Sequence, residues 1–375
     1  MLISRYKQII NLALAILICS LLLTGCATNR FQPQGWAGPM VAEGILYAGS
    51  MKGKIVALDV SSRNKVWEFT PEAPQSATSP LLGCAPSSPS TVIYGTPAVA
   101  ADMVYFGDYK GKVYALDAES GVKRWDYTTD GPIIGSPAIA GNAVVVGSSD
   151  GKLYALDAQT GASLWNEPFA TEGEIWCDPV VADNLIYFGN LDHKLYAVDL
   201  ESGQLVWERD FEGAIASTPL VVEGRLYIGT FESKFYALDA ATGGPKWVQP
   251  FEAENWFWTK PAFSEGTIYV GSLDSNIYAL DAKTGGRKWA KQTGGEIRSA
   301  AVIVDGVLVV ASNDGKVYGL DPRNGNEKWA PRDLDVPILA HPWTEENKVY
   351  LADQKNMLHA LEAETGREIW STAIE

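Results

Sequence analysis

Three histidines, at 193, 341 and 359, and four cysteines, at 19, 26, 84 and 177, are the side chains best suited to hold a metal or to act as nucleophiles. Their spacings form no metal-ligand set, and no Ser/His/Asp arrangement or phosphate-binding loop rises above chance. Carboxylates, however, recur in register. Asp150, Asp192, Glu232, Asp274 and Asp314 share one position of a repeat, where Lys52, Lys110 and Lys355 stand in other copies. Such a ring could hold a cation, but an acid before Gly or Ser is also plain turn chemistry, which is the simpler reading. The 375 residues carry 45 acidic and 30 basic side chains, a net charge of -15, which argues against a nucleic-acid partner. With 46% hydrophobic and 20% charged residues the chain is globular and not disordered.

The elements that would position any site come from the repeat itself. Trp67, Trp125, Trp165, Trp207, Trp247, Trp289, Trp329 and Trp370 are separated by 58, 40, 42, 40, 42, 40 and 41 residues. Eight residues before each stands an acid, Asp59 in the first copy and Glu362 in the last. Four residues before each stands Gly, except in the first copy, which has Arg63-Asn64. One copy, Ser136 to Trp165, reads as four short strands cut by turns: 133–140, 143–147, 153–157 and a fourth that carries Trp165. Four strands per period, eight times, predicts an all-β, eight-bladed β-propeller of four-stranded antiparallel blades. The acid should accept backbone N–H groups of its turn, the Gly should be left-handed, and the Trp should bury between blades. These roles are structural, because every blade has them and a site needs asymmetry.

A site must therefore come from positions that differ between blades. Aligned on the first-strand proline, one face is a uniform apolar ring, as in Ile93, Ile133 and Ile175. The other face varies, and its first strand is the innermost of each blade. Trp36, Tyr94, Trp176 and Trp258 are expected to wall one mouth of the central channel, with Asp178, Lys260, Arg298 and His341 as polar contacts. Such a funnel suits a peptide, a glycan or a flat cofactor. The alternative is that these side chains plug the channel. The long first gap places an insertion at Pro71–Thr91, rich in Pro and Ser, on the same mouth. It reads as a lid or docking arm, or as a tolerated insertion. Cys84 lies in it; Cys84 and Cys177 are either a disulfide or two free thiols.

The N-terminus reads as an address. Arg5 and Lys7 precede an apolar run from Ile9 to Leu23, too short for a membrane span. It ends in Leu23-Thr24-Gly25-Cys26, which resembles the bacterial lipobox. Residues 1–25 would then be a signal peptide, Cys26 the lipidated first residue, 26–35 a tether and 36–375 the propeller. The protein would be exported and lipid-anchored, on the periplasmic face of an outer membrane or on the surface of a single-membrane cell.

Ala-Leu-Asp-Ala-x-Thr-Gly-x-x-x-Trp, at Ala155–Trp165, Ala237–Trp247 and Ala279–Trp289, resembles the tryptophan-docking repeat of the quinoprotein, or PQQ-like, propellers. The resemblance spans about residues 36–375. One branch comprises PQQ-dependent dehydrogenases, which bind the quinone and Ca²⁺ on the axis and often have adjacent cysteines over the cofactor. This chain has no adjacent Cys pair and no Cys-x-x-Cys-His. The other branch is the lipid-anchored, non-catalytic propeller of the outer-membrane β-barrel assembly complex. Length, lipobox and lack of cofactor residues place the chain nearer that branch. It implies no cofactor, a monomer before complex formation, and an envelope protein partner, a β-barrel assembly protein; the rival implications are a PQQ-dependent oxidoreductase and a glycan receptor.

Overall fold

The computed structural model describes residues 37–71 and 91–374. The expected signal peptide, Cys26, the tether, Trp36 and Cys84 lie outside those residues. The described chain forms eight four-stranded sheets, each a meander of consecutive strands. In the first blade these are Met40–Ala42, Ile45–Gly49, Ile55–Asp59 and Lys65–Phe69. The last blade draws all four strands from its own repeat. Among the described residues no strand is exchanged between the last blade and the first.

Two features of the meander differ from the sequence reading. The inner strand of the third blade is Ala138–Ala140 and not 133–140. Ile133 instead donates its N–H to Asp108 of the blade before, at 3.0 Å, and Pro137 has no N–H to give. The start of each repeat is thus a bridge between blades. The outer strand of that blade is Phe169–Ala170, so Trp165 precedes it; likewise Phe251–Glu252 follows Trp247. Pro168 and Pro250 interrupt the pairing, and the two 42-residue gaps follow those two tryptophans.

The blades are held by their faces. Each apolar cluster joins two neighbours, as Tyr105, Val113 and Trp125 meet Val144, Val146 and Tyr154. The repeat residues act as expected. Trp125 Nε1 donates to the carbonyl of Ala158 in the next blade at 2.9 Å, and Trp207 to that of Ala240 at 2.9 Å. Each such ring buries roughly 4–6 kcal/mol worth of apolar surface before entropy is counted. Asp117 and Asp157 accept the N–H groups of Ser120 and Thr160, both at 2.8 Å. Gly161 is left-handed, φ +72°, and a Cβ there would lie 2.7 Å from the Trp125 ring. Glycine is needed twice over, for the backbone and for the ring.

The bridges and the turns between second and third strands lie on one face, here called upper. The turns between first and second strands lie on the opposite, lower face.

Candidate functional site

The inner strands surround the axis, and their aligned side chains form stacked rings. The uniform ring is core, as expected: Ile93, Ile133, Ile175, Phe257 and Ile297 are buried. Each seats on the residue ending the second strand of the preceding blade. A Cβ on Gly107 would lie 2.2 Å from Ile133. Two residues on, the small ring tethers each inner segment to its own blade: Ser217 Oγ donates to Gly229 O at 2.7 Å and Ser299 Oγ to Ala311 O at 3.0 Å. Cys177 belongs to this ring. It is a free, buried thiol whose Sγ lies 3.3 Å from Gly189 O. Burial pushes its pKa up to about 12, so it is a poor nucleophile.

The ring before the prolines is the waist of the channel, and it is braced between blades. Ser136 Oγ accepts the N–H of Thr96 at 2.9 Å. Asp178 Oδ1 accepts the N–H of Ser136 at 2.6 Å. His341 Nδ1 accepts the N–H of Ala300 at 2.9 Å. Asp178 and His341 therefore do mechanical work around the axis. Burial lowers the His341 pKa, and Lys260 adds to this while Asp178 opposes it. A neutral ring with Nδ1 as acceptor carries its proton on Nε2.

Above the waist, Tyr94, Trp176, Trp258, Asp178, Arg298 and His341 line one cavity, as the sequence reading expects. Its volume is only about 60 Å³, room for a few waters. Arg298 is held by Glu296, with Nε and Nη2 both 2.8 Å from Oε2. Trp176 Nε1 donates to Glu174 at 2.7 Å. The aromatic residues come together as a plug and not as an open funnel. Lys260 does not join them. It lines a chamber of about 570 Å³ on the lower side of the waist. The waist ring touches both spaces, and the lysine side chain leaves it downward.

The upper face has one feature that the sequence reading missed. Phe231 lies between Trp256, with centroids 4.7 Å apart at 11°, and Trp258, 5.2 Å apart at 22°. Trp256 is 43% exposed. Positions aligned with Phe231 hold Ser149, Leu191 and Asn313, with a second aromatic only at Tyr109, and those aligned with Trp256 hold Pro132, Glu174 and Glu296. The fold asks for no aromatic there; that departure was the available signal. Tyr109, 43% exposed, packs edge-on to Tyr94 at 5.6 Å on the same face. The aligned acids are turn groups, as the simpler reading held: Asp150, Asp274 and Asp314 each accept a tyrosine hydroxyl at 2.6 Å. Among the described residues no group of three or more His, Cys, Asp or Glu could hold a metal.

Fold, docking tryptophans and axial rings define an eight-bladed propeller of the PQQ-like repeat class. Within it, the chain belongs to the family described as outer membrane protein assembly factor BamB, whose profile matches residues 27–213, 169–254 and 192–332. The factor BamB of Xanthomonas campestris pv. campestris is 29% identical over 87 residues, 23% of this chain and 20% of that protein. The dehydrogenase subunit of an alcohol dehydrogenase (quinone) from Gluconobacter oxydans is 32% identical over 102 residues, 27% of this chain and 12% of that protein. The matched stretches thus span at most a fifth of either curated relative. BamB from Moraxella catarrhalis has the same fold, with a TM-score of 0.71 at 20% identity over 88% of this chain and 96% of that one.

The upper cavity does not fit a quinone with calcium: at about 60 Å³ it is too small for a tricyclic cofactor, and its one carboxylate, Asp178, accepts a backbone N–H.

Proposed function

We propose that this protein is a non-catalytic, lipid-anchored scaffold of the cell envelope that docks onto a protein partner through its upper face, in outer-membrane protein assembly. The observation that carries this reading is the Trp256–Phe231–Trp258 stack, whose Trp256 is exposed. Aromatic side chains at a rigid surface, where the repeat has no use for them, are the usual anchors of protein interfaces. Membership of the BamB family supports the assembly role. Cys26, at the end of the lipobox-like Leu23-Thr24-Gly25-Cys26, supplies the anchor, and the propeller is a monomer until it meets its partner. The small volume of the upper cavity tells against an oxidoreductase reading, although quinone-dependent alcohol dehydrogenases share the repeat.

The test is a crosslinked pulldown of the full-length lipoprotein from detergent-solubilised envelope, with partners read by mass spectrometry. Recovery of a β-barrel assembly protein, lost on Trp256→Ala with Trp258→Ala while the melting temperature holds, supports the scaffold. Unchanged recovery with the double variant removes the upper face from the reading. No stable partner at all removes the scaffold.

A further inference from the structure

A partner docked on the upper face leaves the lower half of the axis unused. Its chamber, about 570 Å³, lies within the range of ligand pockets. The walls are inner-strand side chains, among them Val99, Ile139, Val181, Val302 and Trp343. All five are only partly buried, so the chamber presents apolar surface to solvent.

The floor presents donors. Thr218 is 5% exposed, lines the chamber, and its hydroxyl has no hydrogen-bond partner among the described residues. His341 accepts on Nδ1, which leaves Nε2–H to donate. Lys260 is exposed at the floor and makes no ion pair among the described residues. The one carboxylate there, Asp178, is engaged on Oδ1 by Ser136.

The mouth presents charge of the opposite sign. The turns between first and second strands carry Glu43, Asp183, Glu223, Glu265, Asp305 and Glu346 at one aligned position. That position lies two residues, about 7 Å, beyond Val181 and its equivalents on the innermost strands, so acids stand at six of the eight turns of the lower rim, with Ala101 and Gly141 at the other two. All six are exposed, with φ between 46° and 52°. Such turns favour Asn, Asp or Gly. Four of the six are Glu, so what the six share is charge and not turn propensity. Glu346 pairs with Lys348 at 3.2 Å; the other five have no ion pair among the described residues.

We infer that the lower chamber is a binding site for an apolar peptide segment flanked by basic side chains. The apolar side chains would lie against the walls. Peptide carbonyls would take the donors of Thr218, His341 and Lys260. Lysine or arginine would meet the acidic mouth, which steers a cationic chain in and turns an anionic one away. The inference is independent of the upper-face reading, since the two surfaces lie on opposite sides of the waist.

The test is calorimetric titration of the full chain with an acetylated, amidated hexapeptide, Leu-Val-Leu-Leu-Lys-Arg, against the same peptide ending in Glu-Glu. The expected result is one-to-one binding of the basic peptide, with the acidic one at least ~30-fold weaker. Neutralising the mouth, with Glu223→Gln, Glu265→Gln and Asp305→Asn together, should weaken binding ~10-fold and flatten its salt dependence. Val181→Trp, which fills the chamber, should abolish it, whereas Trp256→Ala should leave it unchanged. Equal binding of both peptides, no binding of either, or a loss that follows Trp256→Ala would overturn the inference. The mouth variants lie on exposed turns, so they remain decisive even if Val181→Trp fails to fold.

Discussion

The Tyr227 hydroxyl donates to the carbonyl of Ala282, in the next blade, at 2.9 Å. The same carbonyl takes the indole N–H of Trp247 at 3.1 Å. Tyr105 and Trp125 converge in this way on Ala158, and Tyr269 and Trp289 on Pro322. Tyr350 holds the aligned place in the last blade, facing the first across the closing seam. Its hydroxyl is buried without a hydrogen-bond partner among the described residues. The sequence departs at the same seam. Where later blades have Gly, with a Cβ position only 2.5–2.8 Å from a docked Trp ring, the first blade has Arg63. Arg63 keeps the left-handed backbone, φ 62°, and Trp370 packs in the same apolar cluster as Val60 of the first blade. Apolar contact among Val41, Leu46, Leu358 and Ile374, and the bond from Met51 N–H to Asn356 at 2.8 Å, close the ring.

This asymmetry predicts opposite outcomes for one substitution at two places. Tyr227→Phe removes a made hydrogen bond and leaves a buried carbonyl with one donor fewer, so it should destabilise by about 1 kcal/mol. Tyr350→Phe removes an unpaired buried hydroxyl and should be neutral or stabilising. Urea unfolding of the two variants measures the difference. Equal losses would mean that the Tyr350 hydroxyl finds an acceptor at the closing seam.

The propeller was legible because its residues repeat. Trp125, Asp117 and Gly121 recur at fixed offsets, and one copy suffices to read the next. The alternation of inner-strand residues also placed Tyr94, Trp176 and Trp258 correctly around one mouth. Alignment could not say how far three indole and phenol rings would fill that mouth, because volume is a property of the closed ring. Nor could it direct Lys260, whose ring belongs to both sides of the waist. Phe231 and Trp256 escaped because they sit on different repeats, 25 positions apart, and only the turn geometry stacks them.

Two glycines with similar backbones should respond differently to alanine. Gly161 has φ +72° and its Cβ would strike the Trp125 ring at 2.7 Å. Gly141 has φ +58° and would meet nothing within 4 Å. Gly141→Ala should therefore lose only about 1 kcal/mol, the ordinary cost of a left-handed alanine. Gly161→Ala adds displacement of a buried indole and should lose about 3 kcal/mol. Thermal and urea unfolding of both variants test this, and equal losses would show that the ring yields freely.

His341 gives the waist a pH dependence. Its folded pKa is lowered by burial, so the unfolded chain binds the proton more readily. The stability it contributes is complete above the unfolded value, about 6.5, and declines as pH falls below that. His341→Gln retains an acceptor for the Ala300 N–H and does not titrate. Melting temperatures should converge as pH falls from about 7 towards 5, the wild type losing ground. A parallel course for the two proteins would show that His341 titrates alike folded and unfolded.

The turn aspartates titrate lower still. Hydrogen bonds from the Ser120 side chain, from Arg124 and from the Ser120 N–H hold the Asp117 pKa at about 2, and the Arg323 side chain holds Asp321 at about 2. These are depressed values, so the linked stability is present above the unfolded pKa, about 3.9, and is lost as pH falls towards 2. Both groups are half-buried in surface turns, and screening by water and salt keeps each contribution small. Asp59 is held at about 2 by the same kind of turn, chiefly through the Ser62 N–H, so the effect repeats around the ring. Asp117→Ala should lower the melting temperature at pH 7 and should lose less than the wild type between pH 4 and 2. Added salt should weaken the Asp321 and Asp117 contributions, which involve arginine, more than that of Asp59, which rests on hydroxyl and backbone donors. Melting curves of Asp59→Ala and Asp321→Ala at two ionic strengths would separate the two cases, and identical salt responses would show that hydrogen bonding to the turn, and not the arginine charge, sets all three.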